Sequence, residues 1–299
     1  MDPQHLLITV YDIVCQAYKH VLQYECQRFS NNKKEPLFTD QEVMTIFLFG
    51  ILRRRFQLKE IFDYIQDYWR VWFPCLTTYS VFVRRLNRLS PCFMHLAPIL
   101  LYRLQRSPQY QDVVEWVKLL DAMPIVMAKG SRASQAMVAQ EIAAKGGHSS
   151  ILGGFYGVKI HAIGQRRREK MPLPELMLLT PGNIHDSVVL ASLEDQVRGF
   201  ELYADKAYIE ERMKESLAMK NVVLHTPVKK VRGRTTDLHL DERLYSTAVS
   251  RVRQPIESFF NWLQQHTQVQ LASKVRSTQG LYVHVFGRIC AALLLLLNP

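Results

Sequence analysis

The stretch VVEWVKLLDAMP, at residues 113–124, decides the fold of this chain. β-branched and aliphatic side chains dominate it as far as Leu120, and Asp121 and Pro124 then interrupt the apolar run. This composition predicts a buried strand that ends at Asp121. The sequence differs in character on the two sides of the stretch, so a new domain is expected to begin at about residue 111.

The region from Gln4 to about Arg106 is predicted to be all-helical, because aromatic and aliphatic residues recur at three- and four-residue spacing. Thr39 and Glu42 have the spacing of a capping box, which predicts a helix start. A further predicted helix, Tyr79–Leu89, gathers arginines opposite its apolar face. Such a basic face suits contact with DNA, and equally suits a solvated surface. The arginines are Arg84, Arg85 and Arg88.

The residues beyond Pro124 predict a meander of strands followed by strands that are linked through helices. The predicted strands are Phe155–Ile163, Leu176–Thr180, Phe200–Ala204 and Val222–His225, and the predicted helices are Ile184–Val197 and Ile209–Met219. This order, completed by a helical C-terminal region, is typical of a ribonuclease H-like α/β fold. We therefore expect a mixed sheet flanked by helices in residues 111–299, preceded by an all-helical domain in residues 1–110.

The charge balance favours a polyanionic partner. Lysine and arginine number 38 against 27 acids, a net charge of +11, which attracts nucleic acid above other partners. A merely basic soluble protein would show the same balance. The five cysteines are scattered, without the close pairs that bind zinc or form redox sites, so they are expected to be reduced.

The two ends of the sequence argue against a membrane protein. The N-terminal residues lack the basic and then apolar pattern of a signal peptide. The apolar tail Ile289–Leu297 is much shorter than the roughly 20 residues that span a bilayer. We expect a cytoplasmic protein whose tail is a buried final helix.

Three carboxylates fall where such a fold would bring them together. Asp121 follows the first predicted strand and Asp205 follows the strand Phe200–Ala204, and the ends of neighbouring parallel strands open into one crevice. Glu257 lies on a later predicted helix that an apolar stripe anchors to the core. Any one of these acids could be an ordinary surface residue, but polar positions at the ends of apolar strands favour a site.

A trio of acids without histidine or cysteine suits Mg²⁺ or Mn²⁺. Two such ions would activate an attacking hydroxyl and stabilise the leaving oxygen of a phosphodiester. Asp186 is an alternative ligand to Glu257, although Asp186 and Ser187 also have the pattern of a helix cap.

The start of the helix that carries Glu257 is open. If the helix is continuous, Arg253 lies four residues before Glu257 on the same face, where it can pair with that acid or contact a phosphate. Pro255 allows a second possibility, a helix that begins just before Glu257 and whose dipole favours the ionised carboxylate.

Three blocks of the sequence resemble the DDE transposases of bacterial insertion sequences. They are LLDAMP at 119–124, LYADKAY at 202–208 and RQPIESFFNWL at 253–263, supported by GFYGVKIHAI at 154–163 and LTPGNIHDS at 179–187. Their combination, in this order, is specific. The resemblance implies a ribonuclease H-like catalytic domain in which Asp121, Asp205 and Glu257 are the catalytic triad and the metal ligands, behind a helical region for DNA binding or dimerisation.

The resemblance also implies a partner and a reaction. The enzyme would bind the terminal inverted repeats of its element, cleave double-stranded DNA there, and transfer the 3′-hydroxyl ends to target DNA, associated with the nucleoid. A homodimer is expected because two DNA ends must be held together. Phosphates could be reached by basic residues of the catalytic half, of which some serve only as solubilising charge. These residues are Lys159, Arg166, Arg167, Arg168, Lys206, Lys229, Lys230 and Arg253.

The chain departs from the family pattern at two positions. Many relatives carry a tyrosine three residues before the arginine and a lysine seven residues after the glutamate, where this chain has Ser250 and Gln264. This argues against a mechanism that needs those two side chains, and leaves the triad intact. Two alternatives stay open: a DNA-binding relative without catalysis (a repressor or a decayed transposase) and a nuclease of the same fold.

Overall fold

The computed structural model describes residues 2–26, 36–149, 153–193, 198–208, 211–229 and 239–297. They form two compact units. Unit 1 comprises Met1–Arg106, Met137–Glu141 and Leu263–Pro299, and unit 2 comprises Ser107–Ala136 and Ile142–Trp262.

The chain begins and ends in helices, with the strands in its middle part. The helices are α1 (Pro3–Ala17), α2 (Gln23–Glu25), α3 (Asp40–Leu52), α4 (Leu58–Tyr68), α5 (Tyr79–Arg88), α6 (Ser90–Gln105), α7 (Ser131–Gln135), α8 (Asp186–Leu193), α9 (Glu211–Met219), α10 (Leu240–Thr267), α11 (Thr278–Tyr282) and α12 (Arg288–Leu297). The strands are β1 (Val113–Lys129), β2 (Ala144–Ser149), β3 (Gly153–Arg167), β4 (Lys170–Pro181), β5 (Phe200–Tyr203) and β6 (Val222–His225).

Unit 1 is helical, as the sequence predicts. Its central helix α3 begins at the expected capping box, where the Glu42 N–H donates to Thr39 Oγ1 at 3.2 Å and the Thr39 N–H donates to the Glu42 carboxylate. All residues of α3 from Val43 to Ile51 are buried. α12 contacts both α3 and α6, and most of its side chains are buried. The apolar tail is therefore a core helix, as expected.

The C-terminal residues belong to unit 1 rather than to the sheet. The sequence predicts that residues 263–299 are part of the α/β domain, but α12 completes the apolar core of the helical unit. In the part of the chain that the structure describes, one helical stretch, Thr278–Leu297, has the length and hydropathy of a membrane span. Of its most apolar window 67% is buried inside the protein, as in the core helix of a soluble protein.

Unit 2 is built on a six-stranded sheet in the order β2-β3-β1-β5-β6, with β4 also paired to β3. β1, β3 and β4 form the predicted antiparallel meander, β5 runs parallel to β1, and β6 runs parallel to β5. α8 and α9 cover one face and share a core with β1, β3 and β5. The mixed α/β sheet flanked by helices that the sequence predicts is confirmed, and it is compatible with a ribonuclease H-like fold.

Two features of the sheet correct the expectations. β1 does not end at Asp121 but continues to Lys129, because its pairing with β3 extends that far. Its described pairing with β5 stops at Leu119, so Pro124 lies on an edge, where a missing N–H is tolerated. β2 is not predicted from the sequence, because its residues AKGGHS carry no alternation of apolar and polar side chains.

Candidate active site

Neighbouring strands place the first two acids side by side. Leu119 of β1 is in parallel register with Tyr203 of β5. Asp121 lies two residues past Leu119 within β1, and Asp205 lies two residues past Tyr203, just beyond the end of β5. Burial is the largest cause that raises the pKa of Asp121, and the negative charge of Asp205 raises it further, so the two carboxyl groups are close enough to interact. The strand register therefore favours the predicted proximity of these two residues, which stays a prediction.

Helix α10 supplies the third acid. It runs unbroken from Leu240 to Thr267 past Pro255, so the continuous helix is the correct one of the two possibilities. Ile256 anchors it to the sheet: a side-chain carbon on Gly164 of β3 would lie 3.6 Å from Ile256 Cδ1. The neighbouring Glu257 keeps a side chain that is 51% exposed.

Arg253 bridges two of the acids. Its Nη1 donates to Asp121 Oδ2 at 2.6 Å, and its Nη2 donates to Glu257 Oε1 at 2.5 Å. The other Asp121 oxygen accepts the Ala122 N–H at 2.8 Å. The Arg253 and Asp121 side chains are only 14% and 20% exposed, so this contact is shielded from water.

The site carries an excess of negative charge. Burial raises the pKa of Asp121 to about 6, against the lowering effects of Arg253 and the Ala122 N–H. For Arg253 burial acts to lower the pKa, but the charges of Asp121, Glu257 and Asp205 outweigh it and raise that pKa. Three carboxylates thus share one guanidinium, and an additional cation would be stabilised beside them.

The donor set suits a hard divalent ion, because all three side chains offer carboxylate oxygens. Across the described ranges, no three His, Cys, Asp or Glu side chains stand close enough together to hold a metal ion. Arg253 instead holds the position between Asp121 and Glu257. The three side chains therefore offer the oxygen donors that a divalent ion prefers, while the Arg253 guanidinium lies between two of them.

Tyr208 fixes the segment that carries Asp205. Its N–H donates to the Asp205 carbonyl at 3.0 Å, and its ring is fully buried in the core of unit 2. The Tyr208 hydroxyl lies 3.3 Å from His161 Nδ1, and His161 Nε2 lies 2.9 Å from Thr180 Oγ1. Burial lowers the pKa of His161 to about 4, so the ring is neutral at physiological pH.

Sequence reasoning assigns no role to His161. The signal that could have found it is a polar residue in the strand run GVKIHAI that lies, by strand alternation, on the same face of β3 as Ile163. That face is buried against Leu120 and Leu202. A buried polar group in such a place needs hydrogen-bond partners, and Tyr208 and Thr180 supply them.

Asp186, the alternative third acid, begins α8. Its carboxylate accepts from Lys159 Nζ at 2.9 Å, and the same ammonium donates to the Ile184 carbonyl at 2.9 Å. Asp186 thus has a cation of its own, whereas Glu257 shares Arg253 with Asp121.

Several basic residues expected on DNA are engaged within their own unit. Arg85 donates to Asp40 at 2.7 Å and to the Phe38 carbonyl, because it lies on the packed side of α5 and not on its exposed face. Arg167 pairs with Asp112 at 2.7 Å. Lys159 pairs with Asp186, and Arg253 with Asp121 and Glu257. The exposed ones are Arg84, Arg88, Arg168, Lys206 and Lys229; Arg166 is half-buried, and Lys230 lies outside the described residues.

A family model described as the transposase DDE domain matches residues 112–278, more than half of the chain. The chain belongs to the transposase DDE domain family. No curated protein and no solved structure matches it. The transposase domain match begins at the strand that carries Asp121 and extends beyond Glu257, so it contains all three acids. DNA is the partner of this family, and its transposases generally use divalent metal ions.

Proposed function

We propose that this chain is the transposase of a bacterial insertion sequence, which binds terminal inverted repeats, cuts the DNA at the element ends, and joins the 3′-hydroxyl ends to target DNA. The observation that carries the proposal is that Arg253 contacts both Asp121 and Glu257 and is also subject to the charge of Asp205, inside the region that matches the family. Negative charge that one guanidinium does not balance favours a further cation at this place, and a buried acid with a raised pKa such as Asp121 marks a candidate functional site.

Asp121, Asp205 and Glu257 would hold two Mg²⁺ or Mn²⁺ ions. Bound there, such ions supply activation of an attacking hydroxyl and stabilisation of the leaving oxygen of a phosphodiester. The Ala122 N–H orients the Asp121 carboxylate, and Tyr208 anchors the backbone at Asp205. Arg253, once it has left Asp121, can turn its guanidinium to a phosphate oxygen.

Double-stranded DNA at the element ends and in the target is the proposed substrate, in the bacterial cytoplasm and at the nucleoid. Exposed Arg168, Lys206 and Lys229 in unit 2 are available to its phosphates. We propose a homodimer, because strand transfer of both ends requires that they be held together.

The test is Mg²⁺-dependent nicking of linear DNA that carries the element ends. Asp121→Asn, Asp205→Asn and Glu257→Gln are each expected to lose at least about 10²- to 10³-fold in rate while DNA binding is retained. Asp186→Asn is the matched control, because it removes a nearby carboxylate that already has Lys159 as its partner. Normal cutting by any triad variant, or equal loss in the control, would contradict the assignment.

A second assay separates the alternatives. Joining of a pre-cleaved end into a plasmid identifies a transposase, whereas cutting without joining identifies a nuclease of the same fold. A wild-type protein that binds the ends and neither cuts nor joins them would be a DNA-binding relative without catalysis.

A further inference from the structure

Unit 1 contains an open groove that is separate from the acidic site. Its volume is about 670 Å³. Arg84, Arg88 and four further polar residues of α5 and of the start of α11 line it, together with the apolar surface of Tyr79 and Val83. We propose that this groove binds the sugar–phosphate backbone of double-stranded DNA. The inference rests on the proposed function in one respect, namely that DNA is the substrate.

One wall of the groove is a ridge of α5. Ser80, Arg84 and Arg88 follow one another at four-residue spacing, and all three are exposed. Phe82 and Leu86 are fully buried on the other side of the helix, so packing fixes the direction in which the ridge points. Burial of Phe82 and Leu86 on one side of α5 therefore turns Arg84 and Arg88 on the other side toward the groove.

The other wall is the start of α11. Ser277 Oγ accepts the Gly280 N–H at 3.0 Å and so caps the helix. Gly280 lies close to α5, because a side-chain carbon on it would be 3.7 Å from Asn87 Oδ1. α11 thus packs against α5, and the groove between the two helices is part of the fold of unit 1.

The charges in the groove are uncompensated. Within the described residues, Arg84 and Arg88 have no acidic partner, in contrast to Arg85 between them, which pairs with Asp40. Glu141 accepts from Thr278 Oγ1 at 2.6 Å but does not line the groove. Two free guanidiniums accompanied by hydroxyl and amide groups form the donor set that proteins direct at phosphate oxygens.

The dimensions suit a nucleic-acid strand. Four helical residues rise about 6 Å, so Arg84 and Arg88 can reach phosphates one or two nucleotides apart at about 3.4 Å per nucleotide. A single small anion would need converging donors in an enclosed pocket, whereas these donors are spread along an open groove. Contacts to the backbone alone carry no sequence information, so the groove is expected to position DNA and not to select it.

The experiment measures binding of the full chain, in EDTA, to a fluorescein-labelled 30-bp duplex of mixed sequence over a series of KCl concentrations. For Arg84→Ala/Arg88→Ala, affinity is expected to fall about tenfold or more. The slope of log K against log[salt] should become shallower by about 1.8, from about 0.9 for each lost phosphate contact. Lys19→Ala/Arg106→Ala, which removes two exposed charges outside the groove, is expected to stay within about twofold of wild type with an unchanged slope.

A second variant, Gln279→Glu, places a negative charge in the groove without removing an arginine, and it should also weaken duplex binding. Thermal melting confirms that all variants are folded. The inference would be overturned if both groove variants bound the duplex with the affinity and salt slope of the control variant. It would also be overturned if their affinity fell only for a 30-nt single strand and not for the duplex. Either result leaves the proposed function standing if the triad variants still abolish nicking, so the two failures can be told apart.

Discussion

Arg253 acts as an internal cation for the acidic site. Its guanidinium contacts Asp121 and Glu257 at hydrogen-bond distance, and the negative charge of Asp205 also acts on it. A divalent ion at these carboxylates would compete with Arg253 for the same oxygens. Two cations in contact with one carboxylate pair repel each other, so ion binding and the Arg253 contacts are expected to oppose one another.

We predict that Arg253→Ala lowers the melting temperature in EDTA, because it leaves the shielded Asp121 without its cation. The same variant should bind Mn²⁺ about tenfold more tightly than wild type, which corresponds to about 1.4 kcal/mol of coupling. The measurement is the rise in melting temperature during a Mn²⁺ titration. Arg251→Ala, an exposed arginine of the same helix, serves as the control; Mn²⁺ affinity in Arg253→Ala no higher than in this control refutes the competition.

Sequence reasoning reaches part of this site. The pairing of Arg253 with Glu257 follows from four-residue spacing on a helix. The contact of Arg253 with Asp121 joins residues 132 positions apart, and local spacing holds no information about it. In the same way, periodicity identifies the arginines of α5, but the inward direction of Arg85 depends on Asp40 of another helix.

At the scale of elements, the pairing of β1 with β3 is what holds Asp121 in place. Asp121 is opposite Ala162, and the two strands remain paired as far as Lys129. At Gly157 the strands leave no room for a side chain: a side-chain carbon on it would lie 2.0 Å from the Ile125 carbonyl oxygen. Backbone atoms cannot move aside as a flexible side chain can, so any other residue at this position must displace one of the two strands.

We predict that Gly157→Ala destabilises unit 2 by about 1–3 kcal/mol or more, because overpacking here must displace one strand from the other. Urea unfolding measures the change, and nicking activity should fall with it as Asp121 shifts. Gly147→Ala is the control, because a side-chain carbon there meets nothing within 4 Å. Equal urea midpoints for Gly157→Ala and Gly147→Ala would contradict the prediction.

Strands with a clear run of β-branched and apolar residues can be predicted from the sequence, and strands without such a run cannot. β3 to β6 follow from β-branched and apolar runs, and their order gives the fold class. β2 forms because Gly146 lets its backbone approach the Phe155 ring and the Gly182 carbonyl, a tertiary effect that composition does not reveal. The extension of β1 past Pro124 likewise depends on β5 ending short beside it.

Across the whole molecule, both units bury a neutral histidine. Burial lowers the pKa of His161 in unit 2 to about 4, and burial together with the Arg288 charge lowers the pKa of His284 in unit 1 to about 3. Unfolded histidine takes up its proton near pH 6.5, so below that pH the unfolded chain binds more protons than the folded one. Stability is therefore fully present above about pH 6.5 and falls as the pH drops toward 3.

Asp121 acts in the opposite direction. Its raised pKa means that the folded state holds a proton up to about pH 6, so this residue costs stability as the pH rises from about 4 to 6. We predict that His284→Gln reduces the acid sensitivity of unfolding, since glutamine can also donate to the Val269 carbonyl and does not titrate. Urea midpoints at pH 5 and pH 7.5 test this. The control His20→Gln changes an exposed histidine and should leave the difference between the two urea midpoints unchanged. A reduction of that difference as large as the one in His284→Gln would contradict the prediction.

Unit 1 combines residues up to Arg106 with residues from Leu263 onward, and α12 lies in its interior. A ribosome that has completed Arg106 must add another 191 residues (297 minus 106) before α12 is finished, which takes roughly 10 to 40 s at 5–20 residues per second. During that interval the nascent helices lack the partner that closes their apolar surface. A chain that stops before α12 is therefore expected to leave the apolar core of unit 1 open.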